Sequence, residues 1–271
     1  MTITQQQKGL IWAGLIASSW FISLYFCLEL DLLSLALPVI WLLILGRTFL
    51  HTGLFIVAHD AAHGTLYPSN PRWNHRLGAM AIAIYALLPY AKFVQCHRLH
   101  HSIPGRVGDP DYHDGQNPHP VQWYCKFMTG YLDRHQSLQV FVWFTVIFHL
   151  VRLGLGVSAL NILCFWVLPI LLSSLQLFFF GTYLPHREPK TGYANRHHAQ
   201  SSPFPEWLSF ITCYHFGYHW EHHEYPHTPW FALPSVSARP LNSDSLTVPK
   251  PCLEKKLLPS ASHSFFARVK Q

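Results

Sequence analysis

An all-α integral membrane fold is the class this sequence predicts, and three observations predict it. Charged residues are scarce, long apolar segments free of formal charge recur, and histidines crowd the stretches just beyond those segments. Half of the 271 residues are hydrophobic and only 12% are charged, against about a quarter charged in soluble domains. The expected architecture is four transmembrane helices, one interfacial or re-entrant helix and a cytoplasmic histidine-rich cap. Residues 1–234 form one membrane domain. Residues 235–271, rich in Ser, Pro and Lys, read as a disordered basic tail with weak attraction to anionic lipid.

Residues 9–28 carry no formal charge over 20 positions, enough at about 1.5 Å per residue to cross roughly 30 Å of hydrocarbon. This run exceeds the apolar region of a signal peptide, about 7–15 residues, and no small-residue cleavage site follows it. A second span over 32–58, interrupted only by Arg47, ends at HDAAH (59–63). The segment 77–90, LGAMAIAIYALLPY, is short enough to be interfacial or re-entrant. A full crossing there would put HDAAH and HRLHH (97–101) on opposite faces. Residues 136–151 and 158–181 form a transmembrane hairpin about a turn starting at Arg152, with Pro169 a candidate kink. His51, His149 and Arg47 fall inside spans, where hydrogen bonds to neighbouring helices or a place near a substrate channel suit them better than a transport path.

Four spans place both termini and all the histidine-rich stretches on one side. That side also carries the basic loops (Lys8, Arg72, Arg76, Lys92, Arg98, Arg106, Lys126, Arg134, Arg187, Lys190 and Arg196), whereas the opposite loops offer only Arg152. The positive-inside rule makes the histidine side cytoplasmic. The net charge of +6 forms no dense block, so no nucleic-acid partner is expected. Cysteines 27, 96, 125, 164, 213 and 252 show no paired spacing, which argues against a disulfide framework or a thiolate zinc site.

Three histidine boxes carry the chemistry. His59 and His63 form H-x-x-x-H; His97, His100 and His101, then His219, His222 and His223, each form H-x-x-H-H. Residues three and four apart share a helix face, so each box has chelate spacing. Eight imidazoles exceed the roughly four ligands one ion takes, and two ions are the economical count. No carboxylate-rich cage of the di-iron bundle type is present. Imidazole suits zinc, copper, iron and nickel alike, so spacing does not name the metal. His186, in FGTYLPHR, is a candidate ninth ligand, with His215 and His227 as lesser ones. Asp60, Asp109 and Glu221 are candidates to orient ligand imidazoles through their second ring nitrogen, and Asp111 reads equally as a solvated loop carboxylate. His75, His113, His119, His135 and His263 read as structural or solvated. HDAAH also has the spacing of the zincin H-E-x-x-H with Asp60 at the base position, but a zinc hydrolase leaves two boxes unexplained.

With these boxes, the sequence resembles the membrane fatty-acid desaturase and hydroxylase superfamily. More narrowly, HDAAHGTLYP, HRLHHSIPGRVGDPDYH, FGTYLPHR and YHFGYHWEHHEYPHTPWFALP are similar to the bacterial and cyanobacterial beta-carotene ketolases. The resemblance covers residues 50–234. It implies a di-iron monooxygenase with O2 as co-substrate and no catalytic residue beyond the metal ligands. It further implies a carotenoid drawn from the bilayer and oxidised twice at ring carbon C4, the geminal diol losing water to give a ketone. No G-x-G-x-x-G fingerprint is present, so an external electron donor such as ferredoxin is expected at the basic cytoplasmic face. A fatty-acyl desaturase or lipid hydroxylase would use the same metal apparatus.

Overall fold

The computed structural model describes residues 4–237 except 114, so the tail assigned to 235–271 lies almost wholly outside the described residues. Every regular element among them is helical. Helix α1 spans Gln5–Leu28, α2 Leu37–Ala62, α3 Pro71–Ala86, α4 Tyr90–Ser102 and α5 Pro120–Gly130. Helices α6 (Arg134–Gly154) and α7 (Ala159–His186) follow, then the short α8 (Glu206–Cys213) and α9 (His219–Glu224). Helices α1, α2, α6 and α7 are long and apolar enough to cross a membrane.

The helix ends follow local chemistry. Thr4 and Gln7 form a reciprocal capping box on α1, and Asp133 and Gln136 form another on α6, each satisfying backbone N–H groups that have no intrahelical partner. Helix α2 starts later than its apolar run, after a single 3-10 turn at Leu32–Ser34, and continues through His59 and Asp60. The charge-poor stretch thus continues into the first box. Helix α7 passes through π-helical turns at Leu163–Val167 and Phe178–Tyr183. The first lies just before Pro169, whose missing N–H the wider turn accommodates. The same helix ends at His186, five residues beyond the expected limit of 181.

The fourteen-residue apolar segment resolves into a sharp corner. Helices α3 and α4 meet at 98°, with Leu87 left-handed at φ 55° and Pro89 unable to continue the α3 hydrogen-bond ladder. The corner turns α4 back so that its histidines face those of α2. At Gly78, α3 lies so close that an added Cβ would stand 2.5 Å from the Ala61 Cβ. Around this contact Ile56, Ala58, Ala61, Ile82 and Phe93 are buried in the main apolar core, whereas α6 buries no residue in its apolar window.

Polar groups inside the long helices serve their neighbours. His51 accepts from Trp20 Nε1 at 3.1 Å and donates to the Tyr85 carbonyl at 2.8 Å. The Arg47 guanidinium donates to the carbonyls of Trp20 and Phe165 at 2.6 and 3.1 Å. Both therefore tie helices together, as expected for buried polar groups in apolar surroundings. Asn161 Nδ2 reaches the carbonyls of Cys27, Leu28 and Leu30 at 3.1, 3.1 and 2.8 Å. These are free acceptors where α1 ends. Asn161→Ala is expected to cost about 1–3 kcal/mol, read as a lowered melting temperature of the detergent-solubilised protein; an unchanged temperature would refute this tie.

Candidate metal centre

Each imidazole is placed by an element already described. The carboxyl end of α2 carries His59 and caps with His63, α4 carries His97, His100 and His101, α7 ends on His186, and α9 carries His219, His222 and His223. The structure brings all nine together. Two groups of four emerge, His59, His63, His97 and His222, and His100, His186, His219 and His223, with ligand nitrogens in each group within 4.8 Å of one another. Seven of these eight residues are buried and His63 is partly so. His101 joins them: its Nε2 lies 2.9 Å from His222 Nε2 and its ring is 4.3 Å from that of His223.

The boxes are split between the groups. His97 sides with the first box and His100 with the second group, and His222 parts from its neighbours His219 and His223 in the same way. Each group nonetheless keeps one chelating pair four residues apart on a single helix, His59 with His63 and His219 with His223, and completes it with imidazoles from other elements. Helices α4 and α9 are inserted between the two clusters: α4 hands His97 to one and His100 to the other, and α9 hands His222 to the first and both His219 and His223 to the second.

Hydrogen bonding shows which nitrogens are free for a metal. His100 Nδ1 donates to the Asp109 carboxylate at 3.0 Å to either oxygen, and His186 Nδ1 donates to the His198 carbonyl at 2.8 Å. In the neutral tautomer this selects, both Nε2 lone pairs point into the cluster, where they lie 3.1 Å from His223 Nε2 and 2.9 Å from His219 Nε2. Asp109 and Asp111 outweigh burial and raise the His100 pKa, which makes that imidazole a more basic ligand. Burial, then repulsion from neighbouring imidazoles, holds His97, His222 and His223 well below the ordinary histidine range, so they are neutral. His59 has neither ring nitrogen hydrogen-bonded among the described residues. A buried imidazole without a partner is costly unless something else takes its lone pair. Neutral rings, converging lone pairs and an orphaned nitrogen are the donor set a metal requires, so the residues fit a pair of ions.

The carboxylates divide differently from expectation. Asp109 does orient an imidazole, and its oxygens also accept from the Gly105 and Asp111 amides at 2.9 and 2.8 Å. Asp60 does not: it lies 3.8 Å from His59 Nδ1, beyond hydrogen-bond reach, and accepts instead from the Trp230 amide at 3.4 Å. Helix α2 turns its side chain away from the ring next to it, and with it the position a zincin base would need. Glu221 is also taken elsewhere, by the Ser201 hydroxyl. Asp111 is buried rather than a solvated loop group: Tyr131 donates to its Oδ1 at 2.6 Å, and burial pushes its carboxyl above the usual range. His215 packs on Trp230 and lies in neither group, and neither does His227. Tyr131 and the His198 carbonyl were not legible beforehand, since one is an isolated loop tyrosine and the other a backbone group.

Gly181 stands where an added Cβ would come 2.8 Å from the Phe216 ring, which packs 4.8 Å from His59. Phe55, Phe127, Leu177 and Phe216 share a small cavity wall with His59, His97, His100 and His219. Asp111, Tyr131 and Thr182 complete this wall, and beyond Phe55, Phe127, Tyr131 and Leu177 lies a larger, mostly apolar cavity.

A helical protein organised around a buried, carboxylate-poor cluster of nine histidines defines the class. The family model described as fatty acid desaturase matches residues 33–134 and 117–246. A beta-carotene ketolase of Paracoccus sp. (strain N81106 / MBIC 01143) is 41% identical over 72% of this chain and 78% of its own length. A zeaxanthin 4-ketolase of Chlamydomonas reinhardtii is 38% identical over 83% of this chain and 50% of its own. An omega-6 fatty acid desaturase of Brassica juncea is 27% identical over 51% of this chain and 36% of its own. The chain belongs to the fatty acid desaturase family and, within it, to the beta-carotene ketolases. No solved structure matches the chain.

Proposed function

We propose that this protein is a beta-carotene 4-ketolase, an O2-dependent oxidoreductase with four transmembrane helices and its histidine cluster on the cytoplasmic side. The observation that carries the reading is the largely apolar cavity of about 210 Å³ that adjoins the two histidine groups, with Phe55, Phe93, Phe127 and Leu177 in its wall, which suits a hydrocarbon ring better than a polar substrate. Apolar side chains left exposed along α1 and α6, among them Phe21, Phe26, Phe141 and Trp143, support a bilayer setting.

The nine histidines would hold two irons. Bound iron supplies the redox chemistry for dioxygen that zinc lacks. The protein's own residues hold the rings in their tautomers through Asp109 and the His198 carbonyl, and exclude water with Phe55, Phe127 and Phe216. Each of two oxidations at C4 consumes one O2, two electrons and two protons and releases one water; the resulting geminal diol then dehydrates to the ketone. The electrons come from an external donor, and the basic loops suit an acidic ferredoxin-like protein.

Expression in a host that makes beta-carotene is expected to yield 4-keto pigments with red-shifted absorption. Unchanged carotenoids beside altered acyl unsaturation would instead make the chain a lipid desaturase.

A further inference from the structure

The histidine-lined cavity measures about 30 Å³, close to the volume share of one water molecule. A cavity of about 210 Å³ adjoins it, and the two share Phe55, Phe127, Tyr131 and Leu177 in their walls. A third, of about 350 Å³ between α1, α3, α6 and α7, shares Phe144 with the second. The three lie in series, from an apolar chamber among the long helices inward to the metal ligands. Four side chains form the narrow mouth of the last chamber, and an end group larger than a water must displace some of them.

Those four are not equivalent. Phe55, Phe127 and Leu177 are held only by packing and can yield by rotation. Tyr131 is tethered: its hydroxyl donates to Asp111 Oδ1 at 2.6 Å. Asp111 is buried, and its own amide donates to Asp109 Oδ1 at 2.8 Å. The Tyr131 ring also packs 5.7 Å from Phe127 and 6.4 Å from Phe93, which stacks in turn on His97. The mouth thus has one fixed side and three compliant ones.

We propose that Tyr131, fixed by Asp111, is the positioning residue at this mouth, setting how far the end group of an apolar substrate advances and which ring carbon faces the histidines. This rests on the ketolase reading. Two successive oxidations at one carbon require the once-oxidised ring to return to the same register, and a fixed stop supplies that register.

The test uses the full chain in membranes containing beta-carotene. Tyr131→Phe keeps the ring and removes the tether. Its expected effect is a roughly tenfold lower kcat with KM changed less than about twofold, and accumulation of the singly oxidised 4-hydroxy carotenoid at unchanged iron content. Asp111→Ala is expected to shift the products the same way, with little further change in the double variant. A wild-type product ratio in Tyr131→Phe overturns the proposal, as do additive effects of the two substitutions or a rate loss matched by lost iron. Should the wild-type chain make no keto product, it is the ketolase reading that fails. The same pair is then compared on acyl unsaturation, where identical products from wild type and Tyr131→Phe likewise overturn the role of Tyr131.

Discussion

His222→Ala is expected to abolish ketolation, to below about one hundredth of wild type, while the helical fold persists. The argument lies in how the clusters share α9. Within its own box only His222 joins His59, His63 and His97, and it is also the partner of His101 at 2.9 Å. Removing it takes one imidazole from the first group and unseats His101 between the two. The iron content of the variant is expected to fall by about one ion per chain. His149→Ala, at an exposed ring outside both groups, is the control expected to keep both metal and activity. Product analysis by chromatography and metal analysis of the purified variants check this together. Full activity in His222→Ala would remove the first group from the chemistry.

Asp109→Asn is expected to weaken metal binding and lower product formation by about 10–100-fold. Both carboxylate oxygens of Asp109 are occupied as acceptors, one by the Gly105 amide and the other by the Asp111 amide, with His100 Nδ1 at 3.0 Å from each. An amide in its place must set its NH2 group against one of these backbone donors, so the substitution forces a reorientation as well as removing the charge. The loss is expected first in the group containing His100, and titration of the metal-free protein with ferrous iron reads it as one weakened site. An unaltered affinity for both ions would leave Asp109 a purely structural loop residue.

The helices and the histidines were legible in the sequence because each announces itself over a short window. Charge-poor apolar runs mark α1, α2, α6 and α7, and H-x-x-x-H and H-x-x-H-H are self-contained spacings. The partition of those spacings into two groups was not legible. It depends on the 98° corner between α3 and α4 and on where α9 is inserted, both products of long-range packing. The carboxylates show the same limit. Asp60 and Glu221 adjoin histidines in sequence and Asp109 does not, yet only Asp109, on the loop after α4, reaches a ring nitrogen. Tyr131 joined the site through a hydrogen bond across 20 positions, which no local pattern encodes. At residues 77–90 the legible signal was one of connectivity: α2 and α4 deliver their histidines to one place, and the corner at Leu87 is how the chain does so.

Iron content measured alongside turnover is the most direct test of a redox metal pair held by imidazoles alone. Purified full-length protein loaded with ferrous iron is expected to bind about two irons per chain, to lose ketolation when they are chelated, and to regain it when iron but not zinc is returned. A preparation that ketolates with less than one iron per chain, or regains activity with zinc, would contradict it.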